Sequence, residues 1–334
     1  MSKTKSILAV AAILGASVLT TTLALGNTPA EASAITWPAH VFAPYVDTGL
    51  SNTTLTTVAA NYGTKFFTLA FVDGAGCQWS MPNESGWHSQ LASLHAEGGD
   101  AAASFGGYTT DTNGTDLGAT CSSASAMATQ VESVVTTVGV KHLDVDIESN
   151  ELTNSADITR TAQALNLVRQ WGTSTSRPLT ISYTIPVLPS GLTSSGKSVL
   201  STAKAQGFTP DIINIMSMDY GTSGTEMGTA ADQALDATAS QVASVFGIST
   251  SAAYAKLGNT PMIGQNDSAG EIFTLADANT VKLHAESEGI KLVSFWAEGR
   301  DNGGCPGQTS ASSTCSGVSQ NSGAFTTAFQ PFTK

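Results

Sequence analysis

Three carboxylic acids alternate with aliphatic residues in the stretch Val140-Lys141-His142-Leu143-Asp144-Val145-Asp146-Ile147-Glu148. On a β-strand alternate side chains share a face, so Asp144, Asp146 and Glu148 point one way and Leu143, Val145 and Ile147 the other. Successive acids on that face lie about 6.5–7 Å apart along the chain. Burying such a row is costly unless the acids share protons or find partners. Acids perturbed in this way cluster where protons are transferred. A calcium site is the competing use of an Asp-x-Asp pattern, but calcium loops want Gly and polar residues between the ligands. Every spacer here is aliphatic, so the segment reads as a strand carrying acid/base chemistry. No metal and no cofactor is expected.

The elements that must hold this strand follow from the alternation of short apolar runs with longer segments of helical spacing. Strands are predicted at 40–46, 66–72, 101–105, 142–148, 179–186, 211–218, 261–265 and 291–297. Helices are predicted at 51–62, 87–97, 123–138, 156–172, 197–207, 229–246 and 275–288, for example on the spacing of Ala162, Leu165, Val168 and Trp171. Strands separated by helices pair in parallel, because the crossover needs that length. Eight such units imply an α/β fold, a (β/α)₈ TIM barrel, with an open doubly wound sheet as the alternative that the same alternation permits.

The run Asp144-Val145-Asp146-Ile147-Glu148 resembles the Asp-x-Asp-x-Glu end of the signature of family 18 glycoside hydrolases, the chitinase family. That signature begins with a further Asp, at the place held here by Lys141. Other matches follow in order along the chain. Ser104-Phe105-Gly106-Gly107 resembles the turn that closes the third strand, and Met216-Ser217-Met218-Asp219-Tyr220 the Met-x-Tyr-Asp motif of the sixth, with Met218 at the Tyr position. Trp296 stands where the family keeps the tryptophan under the reacting sugar.

The resemblance implies a (β/α)₈ barrel and hydrolysis assisted by the substrate's own acetamido group, a known exception to the scheme of two enzyme carboxylates. Glu148 would be the acid, Asp146 would orient the acetamido N–H, and Asp144 would share a proton with Asp146. Asp219 would face the acetamido group from the opposite wall. Tyr220 or Tyr183 would hold its carbonyl, with Tyr220 preferred. Tyr45, Phe71, Trp79, Trp87 and Tyr108 are candidates for sugar stacking, with Trp79 favoured for its place beside Cys77. Asn266, Asp267, Arg300 and Asp301 are candidates for the rim. The short stretch between Asp267 and Lys291 leaves no room for an α+β insertion, which implies an open cleft and internal cleavage of chitin or N-acetylglucosamine oligomers. The rival readings are an endo-β-N-acetylglucosaminidase acting on glycoproteins and a non-catalytic lectin on the same barrel; the presence of Glu148 argues against the second.

Four cysteines, Cys77, Cys121, Cys305 and Cys315, lack the close pairing of a zinc site. Three disulfide pairings are open; Cys77–Cys121 and Cys305–Cys315 are favoured, since each joins segments placed in loops on one side of the fold. The first residues carry Lys3 and Lys5, an apolar run from Ile7 to Leu14, and Ala32-Ser33-Ala34, the three parts of a secretory signal peptide. Residues 1–34 are therefore expected to be a leader and 35–334 one catalytic barrel, secreted to the extracellular space and monomeric. A net charge of −12 without basic clusters argues against nucleic acid or an anionic membrane as partner.

Overall fold

A computed structural model describes residues 35–334; the expected leader, 1–34, lies outside the described residues. The sheet path starts with Val41–Phe42 and ends with Tyr45–Asp47, two pieces of one strand interrupted at Ala43-Pro44. Pro44 has no N–H to give a ladder, which accounts for the break. Because both ends of the path belong to the same run, the sheet closes on itself. Between them, in chain order, stand Phe66–Gly74, Asp100–Gly106, His142–Asp146, Thr180–Leu188, Ile212–Met216, Leu257–Thr260 and Leu292–Val293. All neighbouring pairs around this ring are parallel. This is the eight-stranded barrel expected from the sequence, and the open sheet is excluded.

The seventh strand was expected at 261–265 and lies at Leu257–Thr260. Gly258 and Asn259 are poor strand formers, so the sequence signal is weak there. The ladder offered by Ile212–Met216 overrides it, residue for residue from Leu257↔Ile213 to Thr260↔Met216.

The helices outside the ring form for legible reasons. Ala124–Val138 starts at Ser123, whose side chain accepts the Ala126 N–H, and stops at Gly139 in the left-handed region. Its buried stripe is Met127, Val131, Val134, Val135 and Val138. Ser155–Ser174 is capped by Asn154 and buries Ile158, Ala162, Leu165 and Val168. These helices cover the outward aliphatic set of the acid strand, Leu143, Val145 and Ile147, all buried. Both favoured disulfides, Cys77–Cys121 and Cys305–Cys315, are present. Between the seventh and eighth strands the chain makes only a two-stranded hairpin, Gly264–Gln265 with Ile272–Phe273, and the helix Leu275–Glu288. No helix among the described residues is long and apolar enough to cross a membrane.

Candidate active site

Strand register fixes what faces the barrel axis. Asp144 pairs with Ser104 on one side and Ser182 on the other; Asp146 pairs with Gly106 and Thr184. The axis is thus tiered, with His142 at the bottom, Asp144 in the middle and Asp146 above. Glu148 follows two residues later, past the strand end. It opens into a cleft of about 830 Å³ at the C-terminal end of the barrel strands.

Asp144 is wholly buried, and hydroxyls occupy both its oxygens. Tyr45 (2.8 Å) and Ser104 (2.7 Å) donate to Oδ2; Ser182 (2.5 Å) and Thr184 (2.8 Å) donate to Oδ1. Burial pushes its pKa up while the four donors pull it down by favouring the anion. Asp146, also buried, has an oxygen (Oδ1) with no hydrogen-bond partner. Burial and then the charges of Glu148 and Asp144 hold its pKa well above the usual carboxylate range. The expected sharing of a proton between Asp144 and Asp146 does not take the form of a bond between them, because hydroxyls fill the places around Asp144. Glu148 is pushed up to about 7, chiefly by burial and also by the charge of Asp219, against the Tyr108 N–H, which draws it down. Below that pH it holds a proton that it can give.

The cleft brings Tyr45, Phe71, Tyr108, Asp146, Glu148, Met218, Asp219, Asp267 and Trp296 to one surface. Trp296 stacks on Phe71, with centroids 5.7 Å apart and planes at 20°, and tilts against Tyr45. Gly107 lies beside this stack: a Cβ there would sit 2.7 Å from the Phe71 ring, and its φ of +89° suits glycine. The Gly107 N–H also bonds the Asp146 carbonyl, tying the turn to the acid strand. The Tyr45 ring lines the cleft while its hydroxyl is committed beneath, to Asp144. Tyr108 is 66% exposed at the rim. Asp219 takes the Ser268 N–H on Oδ1 (2.7 Å).

Several expected site residues lie elsewhere. Tyr183 is in register with outward-facing Val145, so it points to the helix layer, fully buried against Phe208 at 5.5 Å. Tyr220 was expected one pleat beyond Met218. The sixth strand ends at Met216, and Asp219, with φ of +52°, breaks the alternation. Its hydroxyl is buried outside the cleft lining, where the charges of Glu271 and Asp232 act on it. Trp79 packs toward the helix Ala124–Val138, its indole N–H on Ser133 Oγ (3.1 Å). Trp87 is core, 2% exposed. Asn266 is buried, its amide spent on the Met262 and Gly264 carbonyls and its oxygen on the Asp219 N–H, so it supports Asp219 from behind. Arg300 and Asp301 are internal ties: the guanidinium holds the Ile263, Gln265 and Ser312 carbonyls, and the carboxylate holds the N–H groups of Phe325 and Thr326.

Two parts of the site lie outside the expected residues. The cradle of Ser104, Ser182 and Thr184 was legible, since Ser182-Tyr183-Thr184 repeats the alternation of the acid strand one strand along. Asp111 had no such signal. It sits in the short helix Tyr108–Asn113 and accepts the Glu148 N–H on Oδ2 at 2.7 Å.

No family model matches the sequence. Two curated proteins do. A probable bifunctional chitinase/lysozyme of Escherichia coli (strain K12) is 34% identical over 321 residues, covering 89% of this chain and 35% of that protein. Endochitinase 11 of Metarhizium anisopliae is 35% identical over 282 residues, covering 79% and 53%. The chain thus spans about a third and about half of these relatives' lengths. Among solved structures, catalytic-site mutants of active domain 2 of a chitinase from Pyrococcus furiosus superpose with a TM-score of 0.80 at 28% identity, covering 90% of this chain and 96% of that one. With Gly106, Asp146, Glu148, Asp219 and Trp296 meeting at one cleft and these relatives beside it, the chain belongs to the family 18 glycoside hydrolases, the chitinase family.

Proposed function

We propose that the protein is a secreted chitinase that cleaves β-1,4-N-acetylglucosamine linkages within the polymer, with the substrate's acetamido group as nucleophile and net retention. One observation carries the mechanism: Asp146, buried at the cleft, keeps an acceptor oxygen without a partner one strand repeat from the protonated Glu148. An unmet buried acceptor costs free energy until a donor arrives, and an acetamido N–H is such a donor. Asp146 and Glu148 stand two residues apart at the end of one strand and line the same cleft, an arrangement that does not place them on opposite faces of an anomeric carbon, so Asp146 is poorly placed as a nucleophile.

Glu148 gives its proton to the glycosidic oxygen as the bond to the anomeric carbon breaks. The acetamido oxygen forms a new bond to that carbon, and the positive charge spreads over an oxazolinium whose N–H is held by Asp146. Having the nucleophile already on the substrate saves the entropy of bringing in another group. Water then attacks the anomeric carbon, Glu148 takes back a proton, and the β-anomer leaves. The Trp296–Phe71 stack gives the reacting sugar an apolar face, and Asp219 faces the acetamido group across the cleft. After the seventh strand come only a small hairpin and a single helix, with no α+β insertion between them and the eighth strand, which supports internal cleavage. The two disulfides support an oxidising, extracellular setting, and a monomer acting on chitin or its soluble oligomers completes the reading.

Product analysis on N-acetylglucosamine oligomers tests this. Early products are expected as β-anomers, thiazoline analogues are expected to inhibit, and oligomers with glucosamine at the reacting unit are expected to resist. Efficient cleavage of the de-acetylated unit, or a trapped ester on Asp146, overturns the mechanism. Preference for a high-mannose glycopeptide over chitin oligomers reassigns the substrate.

A further inference from the structure

Glu148 does not lie in the ladder; it stands past the end of the fourth strand, in a segment that needs its own restraints. The next residue, Ser149, has φ of +43°, a left-handed conformation that a serine adopts only when its surroundings impose it. Those surroundings are the short helix Tyr108–Asn113. Asp111 takes the Glu148 N–H at 2.7 Å, the Thr112 hydroxyl donates to Ser149 Oγ at 2.9 Å, and Asn150 donates to the Thr112 carbonyl at 2.8 Å. Three successive residues of the acid's segment are therefore bonded to two neighbouring residues of one helix. Asp111 is the innermost of these contacts and is completely buried.

Two further acids stand behind Asp111. Acceptor atoms of Asp111, Asp116 and Glu151 lie within 4.8 Å of one another, and Glu151 belongs to the turn that follows Glu148. The charged groups around it are Glu148 and Asp146 from the acid strand, Asp116 before the helix Leu117–Thr120, Glu151 from the turn, and Asp157 with Arg160 from Ser155–Ser174. Arg160 is engaged with Asp157 and the Gly118 carbonyl. Burial above all pushes Asp111 up to about 8, so its carboxyl is largely neutral at neutral pH. A neutral carboxyl still accepts an N–H through its carbonyl oxygen.

We propose that Asp111 is a positioning residue for the hydrolysis: it fixes the backbone of Glu148 through the N–H bond, and so aims the acid at the glycosidic oxygen from behind the cleft. This rests on Glu148 being the acid of the proposed reaction. Asp111 is absent from the cleft lining and acts only through Glu148. Misplacing a reacting group by 1 Å costs about 10²-fold in rate, so the loss of this one bond should be visible in turnover.

The test is kinetics on a soluble N-acetylglucosamine oligomer with Asp111→Ala, Asp111→Leu and Asp111→Asn, with Glu148→Gln beside them. Alanine and leucine remove the acceptor; asparagine keeps a carbonyl oxygen for the Glu148 N–H. The expected result is a fall in kcat of about 10–100-fold for Ala and Leu, on the scale of a misplaced group, with KM unchanged, and recovery of most of the rate in Asn. Near wild-type kcat in Ala or Leu overturns the proposal, as does an Asn variant no better than Ala. Failure of both Ala and Leu to fold assigns the residue to folding and also overturns it. If Glu148→Gln keeps full activity, the assignment of the acid fails instead, whatever Asp111 does.

Discussion

At the scale of single residues, the two outer acids of the row are made different by what surrounds them. Glu148 is pushed up to about 7 and remains a proton donor into the neutral range; Asp144 is fastened by four hydroxyls and has no capacity left for substrate. The acid must be protonated to act, so kcat should fall as pH rises through about 7, the value its burial sets. Glu148→Gln keeps the shape and removes the proton, and should lower kcat by at least about 10²-fold with folding intact. A pH–rate profile of the wild type and the turnover of this variant check both. A basic limb far from neutrality, or near-normal turnover by the variant, removes Glu148 from the role.

At the scale of elements, strand parity decides which aromatic side chains can take part. Tyr183 shares a register position with Val145 and so belongs to the helix layer. Tyr183→Phe is expected to leave kcat and KM within about two-fold, and stability equal or slightly higher, because a buried hydroxyl without a partner is removed. A large loss of kcat would return Tyr183 to the site. The same parity explains what the sequence made legible. Asp144, Asp146 and Glu148 were readable because alternation is a local property, whereas the closing of eight strands into a ring followed only from the family resemblance, since the same alternation permits an open sheet. Tyr220 was misplaced because one left-handed residue, Asp219, resets the alternation, and no residue type announces that. Trp79 was misplaced because proximity to Cys77 in the chain says nothing of which side of a loop faces the cleft. Asp111 was invisible because its partner is a backbone N–H, Glu148's, 37 residues away.

At the scale of the whole molecule, the fold buries acids that lack compensating bases. Asp111 and Glu298 are both pushed up to about 8 by burial, and Asp146 and Glu151 are raised well above their ordinary range. In the unfolded chain such groups lose their protons near pH 4. The folded state therefore holds protons that the unfolded state has released, and the stability so gained is full below about pH 4 and drains away as pH rises to about 8. His142, depressed to about 4 chiefly by burial, works the other way: its contribution is present above about 6.5 and fades as pH falls toward 4. Four acids outweigh one imidazole, so the melting temperature should fall between pH 5 and pH 9. Calorimetry across that range checks it, and a flat or rising curve would show that these acids are compensated.

The same whole-molecule view gives the two-piece first strand a meaning in time. Among the described residues, Val41–Phe42 has one ladder partner, the two-residue eighth strand Leu292–Val293, and the bond from Ser294 Oγ to the Ala43 carbonyl nearby spans 251 positions. A ribosome adding about 5–20 residues per second takes roughly 10–50 s to travel that distance. For that interval the nascent chain can build hairpins, helices and part of the sheet, but Val41–Phe42 still has an open edge. The cylinder is thus a clasp that cannot fasten before the eighth strand is made, and the chain stays unlatched through most of its own synthesis.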